Sequence, residues 1–94
     1  MQVEQLLTLY KQGERNFCSA KLTMVDLLNV ELCEIQLDQG DLRQSRFGKA
    51  NLRRASLCGA NLSESILWGT DLSEANLAGA ILREADLKIG RAHV

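Results

Sequence analysis

The sequence predicts an all-β solenoid, in which a short extended segment and a corner alternate along the chain. Two observations carry this reading. First, Leu or Phe recurs at every fifth position: Phe17, Leu22, Leu27, Leu32, Leu37, Leu42, Phe47, Leu52, Leu57, Leu62, Leu67, Leu72, Leu77, Leu82 and Leu87, fifteen of fifteen without a slip. Second, the residue two places before each from Leu22 onward is small or apolar, from Ala20, Val25, Val30 and Ile35 through Gly40 and Ser45 to Ala50, Ala55, Ala60, Ser65, Thr70, Ala75, Ala80 and Ala85. A helix advances about 100° per residue, so leucines five apart would be about 140° out of line and form no face. A straight strand alternates with period two and would send successive leucines to opposite sides. The odd period fits if the chain bends once per unit. The small residue and the Leu, two apart, then share the inner side of one extended segment. A chain that bends the same way every five residues winds into a coil, and stacked coils pair as parallel strands about 4.8 Å apart. The spacing leaves open whether a coil has three or four sides.

Between the inward pair, many units carry Asn or Asp: Asn16, Asp26, Asp41, Asn51, Asn61, Asp71, Asn76 and Asp86. Their short side chains bond to nearby backbone and suit tight turns. The units ANLRR, ANLSE, TDLSE, ANLAG and ADLKI resemble the pentapeptide-repeat family, whose motif is A-(D/N)-L-X-X. The resemblance spans residues 15–89 and implies a right-handed, quadrilateral parallel β-helix of about four coils with twenty residues each. Arg15 stands where a small inward residue belongs, which places the start of the coil near Phe17, and Ile66 and Ile81 replace the usual Asn or Asp. Val25, Val30 and Ile35 are larger than the usual Ala, so the early coils are expected to pack differently.

Residues 1–14 break the rhythm. Val3, Leu6, Leu7 and Tyr10 follow the i, i+3, i+4, i+7 spacing of an amphipathic helix, with Gly13 as its stop. Solenoids need covered ends, so this helix is read as a cap on the first coil. Residues 90–94 are read as a tail. Beyond Leu87 no second helix follows, so the far end, near Ile81, Ile89 and Val94, is expected to associate with another copy or to continue into further repeats.

Twelve acidic and eleven basic residues nearly cancel. That argues against a generic nucleic-acid or anionic-membrane binder. No apolar run approaches the roughly 20 residues of a membrane span, and the N-terminus lacks the pattern of a signal peptide. A cytoplasmic location is the expectation. With twenty residues per coil, Cys18 and Cys58 share a column about 9.6 Å apart, outside disulfide reach, and Cys33 lies on another side. The sole histidine, His93, is near the terminus, and no catalytic triad, phosphate loop or zinc spacing appears. Neither cofactor nor metal is expected, and a filled interior leaves no substrate cavity. The sequence reads as a non-enzyme.

Twenty-residue stacking also predicts neighbours: a Glu34–Arg54–Glu74 ladder, Asp26 beside Arg46, Lys21 beside Asp41, and an unfavourable Glu64–Glu84 pair. Leu28, Gly48 and Trp68 fall in one outward column, with Gly48 leaving room for the indole. Leu28, Ile66, Trp68, Ile81 and Ile89 form the candidate interaction surface of a scaffold whose partner is a protein. The resemblance supplies an alternative: pentapeptide-repeat proteins of the quinolone-resistance type imitate duplex DNA and bind type II topoisomerase (gyrase). Those are long, acidic, dimeric rods, whereas this chain mixes Arg with Glu along its sides.

Overall fold

A computed structural model of the 94-residue chain describes residues 1–87. Ile89, His93 and the expected tail fall outside the described residues.

From Asn16 onward the chain is a solenoid. Every bridge is parallel and joins residues twenty apart, from Asn16 with Gln36 to Ile66 with Asp86. With a turn in every five-residue unit, one coil has four segments, which define four walls. The first wall stacks Phe17, Leu37, Leu57 and Leu77; the second Leu22, Leu42, Leu62 and Leu82; the third Leu27, Phe47, Leu67 and Leu87; the fourth Leu32, Leu52 and Leu72. Leu57 and Leu77 share a wall, since Ser56 bridges Asn76 and the Leu57 N–H donates to the Asn76 carbonyl at 2.8 Å.

Each unit contributes hydrogen bonds in both directions along the stack. The Asn61 N–H donates to the Gly40 carbonyl of the preceding coil at 2.9 Å, and the Leu42 N–H donates to the Asn61 carbonyl at 2.8 Å. The corner is a β-turn running from the Leu to the next small residue, as where the Ala50 N–H donates to the Phe47 carbonyl at 2.9 Å. The third residue of the turn has positive φ at every corner. Glycine fills it at Gly59, Gly69 and Gly79; elsewhere it is a residue such as Ser19 (φ 65°), Glu34 (φ 63°) or Arg54 (φ 60°). A left-handed L-residue costs about 1–2 kcal/mol. The offset is visible in the hydrogen bonds, because this conformation aims the same residue's N–H at the next coil: Arg54 donates to the Ser73 carbonyl at 2.9 Å and Glu34 to the Arg53 carbonyl at 2.8 Å.

The Asn and Asp residues have a specific local task. Their Oδ1 accepts the N–H of the residue two places on: Cys18 to Asn16 (3.1 Å), Arg53 to Asn51 (3.1 Å), Ser63 to Asn61 (3.1 Å) and Ser73 to Asp71 (3.0 Å). That N–H belongs to the first corner residue. Where Ser56 replaces Asn, Asp38 of the coil before accepts from both the Cys58 N–H and the Ser56 hydroxyl. Polar inward residues are satisfied in the same economical way. Ser45 Oγ donates to the Leu22 carbonyl at 2.7 Å, Thr70 Oγ1 to Phe47 at 2.8 Å and Ser65 Oγ to Leu62 at 2.7 Å.

The interior is a packed leucine stack, with one correction to the expected spine. Phe17 to Leu72 are buried at every register position, but Leu77 and Leu82 are only partly buried and Leu87 is 47% exposed. These three belong to the last coil, and among the described residues no further coil covers them. Between the last two leucine layers lies a small apolar cavity of about 50 Å³. Ile35 is buried, while Val25 and Val30 stay half-buried.

The helix α1, Val3–Lys11, packs on the opposite end. Leu6 is fully buried in the core, with Val3, Leu7, Leu9 and Tyr10 against it. Past the helix, Gly13 takes φ 100°, the Glu14 N–H donates to the Leu9 carbonyl (3.0 Å) and the Gly13 N–H to Tyr10 (3.0 Å). This is the Schellman geometry that stops a helix. The segment also supplies partners to strand groups that lack a preceding coil. The Met1 ammonium donates to the Lys21 carbonyl (3.0 Å), Tyr10 Oη to the Cys33 carbonyl (2.7 Å), and Glu14 Oε1 accepts from the Asn16 N–H (3.0 Å). Arg15, expected to be merely irregular, lies over the Tyr10 ring at 3.7 Å from its centroid and donates to the Tyr10 carbonyl.

Burial pushes the Tyr10 phenol above its ordinary value, against the opposing pull of Arg15. A phenol whose folded pKa is raised contributes stability that is whole below the unfolded value and is lost as pH climbs from that value through the folded one. Tyr10→Phe should therefore lower stability by about 1 kcal/mol, through the lost bond to Cys33, and flatten the alkaline fall in the urea midpoint above about pH 10. An unchanged alkaline limb would show that Tyr10 is not the group responsible.

Candidate interaction surface

With the interior filled, the walls are what the chain can present. On the third wall, Leu28 is 43% and Trp68 47% exposed, and Ile66 is half-buried beside Trp68. Ile66 and Trp68 flank inward Leu67, so both point outward from one segment. Gly48 lies between Leu28 and Trp68 in the column, but the indole does not fill the space that glycine leaves. A Cβ added at Gly48 would come within 2.7 Å of Leu28 Cδ2, so Leu28 lies across it; the nearest part of Trp68 is its carbonyl oxygen, at 3.7 Å. Ile81, 41% exposed, belongs to the second wall and is thereby separated from Trp68 by a corner. The structure thus gathers Leu28, Ile66 and Trp68 and leaves Ile81 apart.

The charged groups are interspersed. Arg54 Nε meets Glu74 Oε1 at 2.9 Å, as the stacking predicts, and Arg46 reaches Asp26 at 3.8 Å. Lys21 lies beside Asp41 on the neighbouring coil, as the stacking predicts, but the hydrogen bonds to Asp41 come from Arg43 of its own segment, at 2.8 and 2.7 Å. The Arg43 hydrogen bond holds the Asp41 carboxyl below its ordinary range, and the charge of Lys21 helps to lower it. Both groups are solvated, and exposed pairs of this kind contribute about 0–1 kcal/mol. Glu64 accepts from Gln44 Nε2 at 3.1 Å, a bond to the preceding coil that twenty-residue spacing makes possible but that the charge count overlooks.

All three cysteines are free. Among the described residues no cluster of His, Cys, Asp and Glu is placed to hold a metal, and no helix is long and apolar enough to cross a membrane.

The geometry is that of a repeat scaffold, and comparison with known proteins agrees. The pentapeptide-repeat profile matches residues 50–88 in eight copies. The chain is similar to HetL, a pentapeptide repeat protein involved in heterocyst differentiation regulation from the cyanobacterium Nostoc sp. strain PCC 7120, at 49% identity and a TM-score of 0.94, covering 96% of this chain and 38% of HetL. It is similar to alr5209, a pentapeptide repeat protein from Nostoc PCC 7120, at 30% identity and a TM-score of 0.40, covering 86% of this chain and 75% of that one. A third structure, the pentapeptide repeat protein Rfr23 from the cyanobacterium Cyanothece 51142, shares 18% identity with a TM-score of 0.55, covering 89% of this chain and 99% of that one. A comparison with curated protein sequences finds no match. The chain belongs to the pentapeptide-repeat family: a solenoid-like β-helix scaffold with a HetL-like fold. It spans little more than a third of HetL's length, 38%.

Proposed function

We propose that this chain is a non-catalytic, cytoplasmic interaction scaffold, a right-handed four-sided coil whose third wall reads a protein partner. The observation that carries the proposal is the half-exposed Trp68 on the same wall as Leu28 and Ile66. Aromatic side chains are over-represented among the residues that dominate interface energies. The 49% identity with HetL supports a role in a regulatory circuit of the same kind. The last leucine layer, Leu77, Leu82 and Leu87, is the second contact we propose, to another copy or to further repeats. The DNA-mimicking reading has less behind it, since Arg43–Asp41, Arg46–Asp26 and Arg54–Glu74 alternate the signs that a phosphate mimic would keep negative.

Immobilised wild type, Trp68→Ala and Ala78→Arg, the last on the opposite wall, test this in cyanobacterial extract. A partner should be retained by the wild type and Ala78→Arg but lost from Trp68→Ala. An identical set of captured proteins on all three would end the third-wall reading.

A further inference from the structure

We infer that the third wall takes a peptide segment that is aliphatic and acidic. The inference rests on the reading of that wall given above and adds the chemistry of its partner. The apolar strip from Leu28 across Gly48 to Trp68 spans two coil steps, about 9.6 Å. Among the described residues two cations border it. On one side is Arg46, below its bridge partner Ile66, with more than half of its side chain exposed and only a long 3.8 Å pairing to Asp26. On the other is Lys49, whose Cγ would be 3.3 Å from a Cβ on Gly69, so that its stem runs over the glycine next to Trp68. The Lys49 ammonium has no ion pair among the described residues. Asp26 faces Arg46 and makes no ion pair with Lys49, and Asp86, the wall's other carboxylate, has interactions of its own. The wall therefore offers an aliphatic seat with an available positive charge. A carboxylate on the partner would meet it, and a lysine there would be repelled. The two cations that border it among the described residues are few for holding an anionic lipid surface, where each contributes only about 1 kcal/mol.

Trp68 is the one tryptophan in the chain, so its fluorescence reports on this strip directly. The probes are a capped decapeptide with two leucines among glutamates, its lysine counterpart, and phosphatidylglycerol vesicles. The glutamate peptide should blue-shift Trp68 emission and shield it from acrylamide, and Lys49→Glu should weaken that response at least about fivefold while strengthening the response to the lysine peptide. Lys49→Glu is expected to fold, because Glu64, Glu74 and Glu84 already occupy the same corner position at φ of 57–60°. A response to vesicles alone, or no response to the glutamate peptide below millimolar concentration, would overturn the inference. Equal responses to both peptides would overturn the charge preference and leave the wall as a reader; a capture experiment insensitive to Trp68→Ala would remove the wall itself.

Discussion

Phe47→Ala should destabilise the fold by about 3–5 kcal/mol, the largest effect expected of any single side-chain truncation here. Phe47 is completely buried and is the largest fully buried side chain among the described residues. It lies midway up the third wall, between Leu27 and Leu67, so its loss opens space toward coils on both sides. The leucines around it are held by backbone bonds repeated every five residues, such as Leu42 N–H to Asn61 and Leu52 N–H to Asp71. Such a frame collapses little around a void, and that puts the cost at the upper end of the range. Leu87→Ala at the end of the same wall removes a side chain that is already 47% exposed and should cost less than about 1 kcal/mol. Urea unfolding of the two variants measures the contrast. In a solenoid, where each unit contacts only its neighbours, the Phe47 variant should also broaden the transition, as the halves above and below lose their coupling. Equal losses for Phe47→Ala and Leu87→Ala would mean that the leucine stack is not what holds the coils together.

How much of this was legible in the sequence follows from how each feature repeats. The leucine period survives in all fifteen units, so the solenoid, the stacking of Leu57 on Leu77 and the Arg54–Glu74 rung could be read in advance. The left-handed corners could not. Turn chemistry looks for Gly or Asn at such a position, and here Met24, Gln39, Lys49 and Arg54 adopt it, because tertiary hydrogen bonds to the next coil override local preference. Nor could the identity of Asp41's partner, since Lys21 and Arg43 are both within sequence-predicted reach and only side-chain geometry separates them. On the third wall, the column of Leu28, Gly48 and Trp68 was readable from spacing, but the leucine lying over the glycine was not. Lys49, which adds beside Arg46 on that wall a charge unpaired among the described residues, carried no signal at all, because an isolated lysine in an outward slot looks like any other solvated residue.

The second large effect separates repeat register from mere length. Deleting Arg53 alone should cost more than deleting the whole unit 51–55. The unit between Ala50 and Ala55 holds one bridge residue, one inward Leu and a two-residue corner, closed by the Ala55 N–H to the Leu52 carbonyl at 3.1 Å. Without Arg53 the corner has one residue and cannot make that turn. The Glu34 N–H loses its acceptor, and the Leu52 and Arg54 bonds to Asp71 and Ser73 are pulled out of line. Stranded backbone groups at about 1–3 kcal/mol each, together with a displaced Leu at about 2–5 kcal/mol, exceed about 4 kcal/mol. Deleting 51–55 instead leaves every remaining unit intact. Ser56 takes the place of Asn51 above Glu31, Leu57 that of Leu52, and all later units move round by one wall. At roughly 0.05–0.15 kcal/mol per residue, five lost residues amount to less than about 1 kcal/mol, plus the exposed Arg54–Glu74 rung and the two bonds from Ser56 and Cys58 to Asp38, at about 1 kcal/mol each. The larger deletion is thus the milder one, provided that the unit of folding is the five-residue wall and not the twenty-residue coil. Far-UV circular dichroism and urea titration of the two proteins decide the matter: a folded Arg53 deletion beside an unfolded 51–55 deletion would show that wall identity, and not the leucine register, specifies the stack.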